Sequence, residues 1–231
     1  MSKNIRRQKI LGILGGMGPY ATIYFFQRIL HFTPIKKDKD HFRVLIDNQV
    51  KIPSRTRAIL FDEDSPVPEM IKSINNLASI GAESLLVPCN SAHYFYDEVC
   101  KKISIPWINM IDCVANKLLD VGLSRPLILG GYVTTNKKTY SNYIYDAQYL
   151  NLNENKCIEK IIEEIKSNNS LSKESYVIFN EIIKSNISRI DSIIFACSEL
   201  PIVFEIDSLF SIPIFDSVEI YAEESKNYGY F

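Results

Sequence analysis

Two cysteines in this chain stand where a thiol can do chemistry. Cys89 lies in Ser84-Leu85-Leu86-Val87-Pro88-Cys89-Asn90-Ser91-Ala92-His93. Leu85 to Pro88 read as a short apolar strand, and Tyr94, Phe95, Val99 and Ile103 mark a helix-like run behind it. A cysteine between a buried strand and a helix start meets free backbone N–H groups, which favour the reactive thiolate. Such strand ends are also where open parallel sheets bind ligands. Cys197 repeats the arrangement in Ile193-Ile194-Phe195-Ala196-Cys197-Ser198-Glu199-Leu200-Pro201. The echo runs on downstream. An Ile-Pro pair follows each cysteine, its proline 17 positions later in one unit (89 to 106) and 16 in the other (197 to 213). Asn109 and Asp216 close the two units.

Two such units would face each other across a cleft. Thiols on opposite sides of one ligand carbon suit inversion of a stereocentre. One thiolate removes a proton, and the opposite thiol returns a proton to the other face. Backbone N–H groups at helix starts can support the carbanion between the two steps. The competing reading of the same pattern is a pair of buried, inert cysteines.

The elements that must position these thiols alternate strand and helix. Ile10–Leu14 reads as a first buried strand, Gly15-Gly16-Met17-Gly18-Pro19 as a turn, and Tyr20–His31 as a helix with Ile23, Phe26, Gln27 and Leu30 on one face. Pro19 suits the first helical position. Val44–Ile46 is the next buried strand, followed by a loop through Lys51–Thr56 that carries Arg55. Arg55 can hold a carboxylate bidentately, or simply be solvated. Pro68–Ile80 has a helical stripe closed by Gly81. His93, four residues beyond Cys89, is placed either near the thiol or in the core. Ile105–Asn109 reads as the last strand of this half, and Ile111–Val121 as a helix.

The second half starts at Leu127–Leu129, with a turn at Gly130-Gly131 and Thr134-Thr135 and a tyrosine-rich helix through Tyr140, Tyr143 and Ile144. Ile158, Ile161, Ile162 and Ile165 mark a helix ending near Lys166. Another follows Ser172, with Val177, Ile178, Ile182 and Ile183 facing inward. The expected fold is α/β: two similar halves with parallel sheets and an active-site cleft between them. Residues 1–112 with 217–231 form the half carrying Cys89, and 113–216 the half carrying Cys197.

Composition narrows the function classes. The chain has 231 residues, 46% hydrophobic, with 26 Lys+Arg against 27 Asp+Glu. A balance so near neutral argues against nucleic acid or an anionic membrane as partner. Five scattered cysteines (89, 100, 113, 157, 197), without a CxxC pair or metal-ligand spacing, point to free thiols, a reducing compartment and no metal site. The uncharged run Ile10–Phe26 is broken by four glycines and Pro19, so it reads as strand, turn and helix start rather than a leader. A cytoplasmic location is expected.

The chain resembles the aspartate/glutamate racemases, most closely the aspartate branch. The motifs are Ile13-Leu14-Gly15-Gly16-Met17-Gly18-Pro19, Asp47-Asn48, Ile52-Pro53-Ser54-Arg55-Thr56, Pro88-Cys89-Asn90-Ser91-Ala92-His93 and Cys197-Ser198-Glu199-Leu200-Pro201, in the family's order. The resemblance implies two flavodoxin-like α/β halves and cofactor-independent racemisation of an amino acid by Cys89 and Cys197, in a homodimer. It implies substrate contacts from Met17, Asn48, Asn90, Ser91, Thr134 and Ser198, with Arg55 and Lys166 holding a side-chain carboxylate. Glu199 and His93 support the cysteines. Glu199 stands where the glutamate branch has a histidine.

Some positions depart from the pattern. Ser91 and Ser198 replace threonines, Ala196 a glycine, and Ser54 an aspartate beside the substrate arginine. Gly130-Gly131-Tyr132-Val133-Thr134 also differs. Aspartate is the leading substrate. The alternatives are a broad-specificity racemase, a cysteine-dependent isomerase on the same fold, or a small-molecule binding protein without turnover.

Overall fold

The computed structural model describes residues 7–33, 35–204 and 211–229. Two three-stranded parallel sheets form the frame. The first contains β1 (Leu11–Gly15), β2 (Val44–Asn48) and β3 (Ser84–Leu86) in the order β2-β1-β3. The second contains β4 (Pro126–Gly130), β5 (Ser192–Ala196) and β6 (Ile214–Asp216) in the order β4-β5-β6. The registers pair Ile13 with Ile46 and Leu86, and Ile194 with Ile128 and Phe215. β1, β4 and β5 are buried at every position. That is the pattern of parallel strands covered on both faces, and it explains why they read as unbroken apolar runs.

Ten helices connect and cover the sheets among the described residues: α1 (Pro19–Phe32), α2 (Arg55–Phe61), α3 (Val67–Ser79), α4 (Tyr96–Cys100), α5 (Met110–Asp120), α6 (Tyr132–Asn136), α7 (Leu152–Asn168), α8 (Lys173–Asn186), α9 (Leu200–Val203) and α10 (Ser217–Tyr228). The expected closing residues of the two units prove to be helix caps. Asn109 Oδ1 accepts from the N–H groups of Ile111 and Asp112 at the start of α5. Asp216 Oδ1 accepts from Val218 N–H at the start of α10. Each satisfies helix-end donors that would otherwise go unpaired.

Several sequence expectations are corrected. The strand at Ile105–Asn109 is reduced to an isolated bridge between Leu85 and Trp107. β2 is an edge strand, half-buried, with Ile46 41% exposed. Residues 51–56 are not all loop, because Ser54 caps α2 by accepting from Arg57 N–H, and Arg55 opens the helix. The expected tyrosine-rich helix through Tyr140, Tyr143 and Ile144 is absent, since α6 ends at Asn136, Lys138 takes a left-handed φ of 49° and turns follow. The segment behind Cys89 starts as a 3-10 helix over Asn90–Phe95. In α1 the buried residues are Ala21, Thr22, Phe25 and Ile29, and Ile23 is exposed. In α8 Val177 and Ile178 are exposed, and Phe179, Ile182 and Ile183 are buried. Both helices are apolar on more than one side, so spacing gives the period while the neighbouring elements choose the phase.

A shared core joins the two sheets. Leu11, Ile13 and Leu86 from the first and Ile128 and Ile194 from the second belong to one buried cluster with Val114 and Leu118 of α5 and Val218 and Tyr221 of α10. Each such side chain contributes roughly 1.5–3 kcal/mol on burial, so this cluster alone opposes separation of the sheets. Separate cores fill the outer side of each sheet.

Candidate active site

Both cysteines lie just past the carboxyl ends of their strands. β3 ends at Leu86 and Cys89 follows after Val87 and Pro88, while Cys197 directly follows β5. The two thiols line one cavity of about 100 Å³. Met17, Arg55, Cys89, Asn90 and Ser91 face it from the first unit, and Thr134, Lys166, Cys197, Ser198 and Glu199 from the second. Ser54, Thr56, Gly131 and Val133 also line it; of these, sequence reasoning had not singled out Thr56 or Val133. Thr56 lies inside the arginine motif and Val133 inside the turn motif at 130–134, so neighbouring motif residues were the available signal for both.

Local structure explains the placements. Met17 sits in the turn after β1, where Gly16 has φ +86°, a backbone conformation that favours glycine. Thr22 of α1 fastens this turn, accepting from Gly16 N–H at 2.9 Å and donating to Gly18 O at 3.0 Å. Arg55 projects from the first residue of α2, Thr134 lies within α6 and Lys166 in the last turn of α7.

The thiols have different partners. Cys197 Sγ donates to Glu199 Oε2 at 3.0 Å, and Ser198 Oγ donates to the same oxygen at 3.3 Å. Burial, and then the Glu199 charge, push the Cys197 thiol well above its ordinary value, against the opposing pull of Lys166. Cys197 is therefore held protonated. Cys89 Sγ instead lies 3.4 Å from Ser91 Oγ. Lys166 is exposed as a residue yet faces the cavity. Burial alone would lower its ammonium, but the charges of Cys197, Glu199 and Cys89 outweigh this and raise it. Arg55 donates to Pro53 O at 3.1 Å, and its Nε is buried without a hydrogen-bond partner. An unpaired buried guanidinium nitrogen is costly and calls for an acceptor.

Two expected site residues are not brought to the cavity. Asn48 ends β2, exposed and outside the lining. His93 is buried beneath the Cys89 loop, with Nδ1–H donating to Cys89 O at 2.9 Å and Nε2 accepting from Met110 N–H at 3.0 Å. Burial pushes it down to about 4, offset only in part by the bond to Cys89, so the imidazole is neutral and holds backbone rather than thiol. Asn90 reaches the cavity, but its side chain is engaged by Tyr140 and Ser217.

A larger groove of about 610 Å³ lies along Ser170–Lys173, Tyr176, Val177 and Val203, and its lining includes no cysteine, histidine or carboxylate. All five cysteines are free thiols. No helix among the described residues is long and apolar enough to cross a membrane.

Known proteins are similar to this chain in sequence and in fold. The sequence model of the Asp/Glu/Hydantoin racemase family matches residues 14–225. The aspartate racemase of Picrophilus torridus is 29% identical and superposes with a TM-score of 0.84 over 96% of this chain and 95% of that one. The broad specificity amino-acid racemase RacX of Bacillus subtilis is 23% identical over 216 residues, 90% of this chain and 92% of that protein. A glutamate racemase from Francisella tularensis, at 14% identity and a TM-score of 0.69 over 96% of this chain and 80% of its own, shares the fold. A match over nearly the whole length, on a frame of paired parallel sheets, places this chain in the Asp/Glu/Hydantoin racemase family, as an isomerase of the amino-acid racemase type.

Proposed function

We propose that the protein interconverts the enantiomers of an acidic amino acid, aspartate foremost, by proton transfer between Cys89 and Cys197. The observation that carries this reading is the meeting of two thiols, one from each sheet, in a small cavity that also holds Arg55 and Lys166. The cavity's charged side chains are two cations and one carboxylate, Glu199. With Cys89 as thiolate the two cations balance it and Glu199, and Arg55 and Lys166 are the groups that can meet a substrate's carboxylates. Arg55 Nε, buried and unpartnered, suits a distal carboxylate.

In one direction Cys89 acts as thiolate and takes the α-proton. The electron pair of the broken C–H bond passes into the α-carboxylate, where the Ser91 and Ser198 hydroxyls are at hand as donors. Cys197, protonated beside Glu199, then gives its proton to the opposite face, and the new C–H bond forms with inverted configuration. The reverse direction needs Cys197 as base, which it becomes once its proton has gone to substrate or to Glu199.

Exchange of the substrate α-proton in heavy water, followed by NMR for both enantiomers of aspartate, glutamate and alanine, tests the proposal. Washout from both enantiomers of aspartate, faster than from alanine, is expected. Absence of washout from every amino acid would overturn it. A second reading, broad specificity, draws on the likeness to the B. subtilis racemase. In that case neutral amino acids would exchange as fast as aspartate.

A further inference from the structure

A chain of buried hydrogen bonds links the two cysteine loops behind the cavity. Tyr140 Oη donates to Asn90 Oδ1 at 2.6 Å. Asn90 Nδ2 donates to Ser217 Oγ at 3.0 Å. Ser217 Oγ donates in turn to Phe195 O at 2.8 Å. Asn90 directly follows Cys89, and Phe195 precedes Cys197 by two residues. Tyr140 and Ser217 are fully buried and Asn90 nearly so. The path therefore runs from one thiol-bearing strand end to the other through a single hydroxyl.

We propose that Ser217, with Tyr140, is a positioning residue that fixes the relative placement of the Cys89 and Cys197 thiols. The proposal rests on the two-thiol reading above. Both bonds to the Asn90 amide come from outside the first sheet's elements, one from the segment after α6 and one from the start of α10. The Asn90 side chain is thus committed to joining the two sheets rather than left to grip a ligand. Ser217 can serve both neighbours at once, because a hydroxyl accepts from one and donates to the other. Ser217 is fully buried, so removing its hydroxyl takes away the shared partner of the Asn90 amide and the Phe195 carbonyl and favours their moving to find others. Proton transfer on two faces of one carbon depends on both thiols being in reach together. A misplacement of about 1 Å can cost on the order of a hundredfold.

The test compares Ser217→Ala, Tyr140→Phe and the double variant with the parent, measuring kcat and KM in both directions and thermal unfolding. We expect kcat to fall about 10- to 100-fold in both directions in each single variant, with KM within about threefold. The double variant should lose less than the product of the singles, because one network is broken once. If Ser217→Ala does not fold, Tyr140→Phe, which removes only the phenolic oxygen, decides. A folded variant with parental kcat, or a loss confined to KM, would overturn the proposal; the second outcome would make Asn90 a substrate ligand. Cys89→Ala and Cys197→Ala are run beside them. Racemisation by either would remove the two-thiol reading itself. Inactive cysteine variants beside a fully active Ser217→Ala would remove only the positioning role.

Discussion

Cys197 donates its thiol proton to the Glu199 carboxylate two residues further on, at 3.0 Å, while Cys89 faces the Ser91 hydroxyl at 3.4 Å. The pseudo-repeat of the sequence is thus chemically asymmetric. One thiol has a built-in acceptor for its proton, and the carboxylate that accepts it also opposes the thiolate.

Glu199→Gln should lower the Cys197 value, because the negative charge that disfavours the thiolate is gone. Alkylation of Cys197 near neutral pH, followed by peptide mass mapping, should accelerate several-fold as the thiolate fraction rises. The Cys89 rate should change less. An unchanged Cys197 rate would show that burial alone holds the proton.

Arg55→Ala should impair acidic substrates far more than neutral ones. A charge-assisted contact contributes roughly 1.5–3 kcal/mol, so kcat/KM for aspartate should fall about 10- to 100-fold. An equal loss for aspartate and alanine would remove Arg55 from specificity. Lys166→Met should behave in the same way.

Either Cys89→Ala or Cys197→Ala should cut racemisation by about 10²- to 10⁴-fold or more, with substrate affinity better preserved. Cys100, Cys113 and Cys157 lie outside the cavity lining. Cys113, pushed up to about 12 by burial and the nearby Glu224, is a poor nucleophile. Replacing all three with alanine should leave kcat close to parental in the same racemisation assay.

Acid stability turns on two buried groups of opposite sign. His93 titrates at about 4 when folded against 6.5 unfolded, so the unfolded chain takes up the proton first and stability falls as pH drops through that window. Asp216, raised by burial to about 6 from 3.8, keeps a proton the unfolded chain releases, so stability rises as pH drops from 6 towards 3.8. Each effect is on the order of 3 kcal/mol, and they nearly cancel. Asp216→Asn retains an acceptor for Val218 N–H, presents an amide N–H in place of Oδ2 to the Tyr24 oxygen, and loses the compensation. Urea unfolding between pH 7 and 4 should therefore show a drop on the order of 3 kcal/mol larger than in the parent. His93→Gln should show the opposite slope.

Much of the design was legible in the residues. The apolar runs at β1, β4 and β5 announce parallel strands because both of their faces are covered, which leaves no polar alternation to confuse the period. The repeated strand, cysteine, small polar residue and Ile-Pro pattern marked both thiols and the polar residues Asn109 and Asp216 that close the units, whose work as helix caps the structure then showed. Tertiary structure decided the rest. Asn48 and His93 sit in family motifs, yet one faces outward and the other is consumed by backbone bonds. The phase of α1 and α8 was set by what packs on them, as both carry apolar residues around more than one face. Nothing local marks Tyr140 or Ser217 as partners of Asn90, which lies 50 and 127 positions away. A hydroxyl's usefulness there depends on being buried between two sheets, and burial of that kind exists only after the chain has closed on itself.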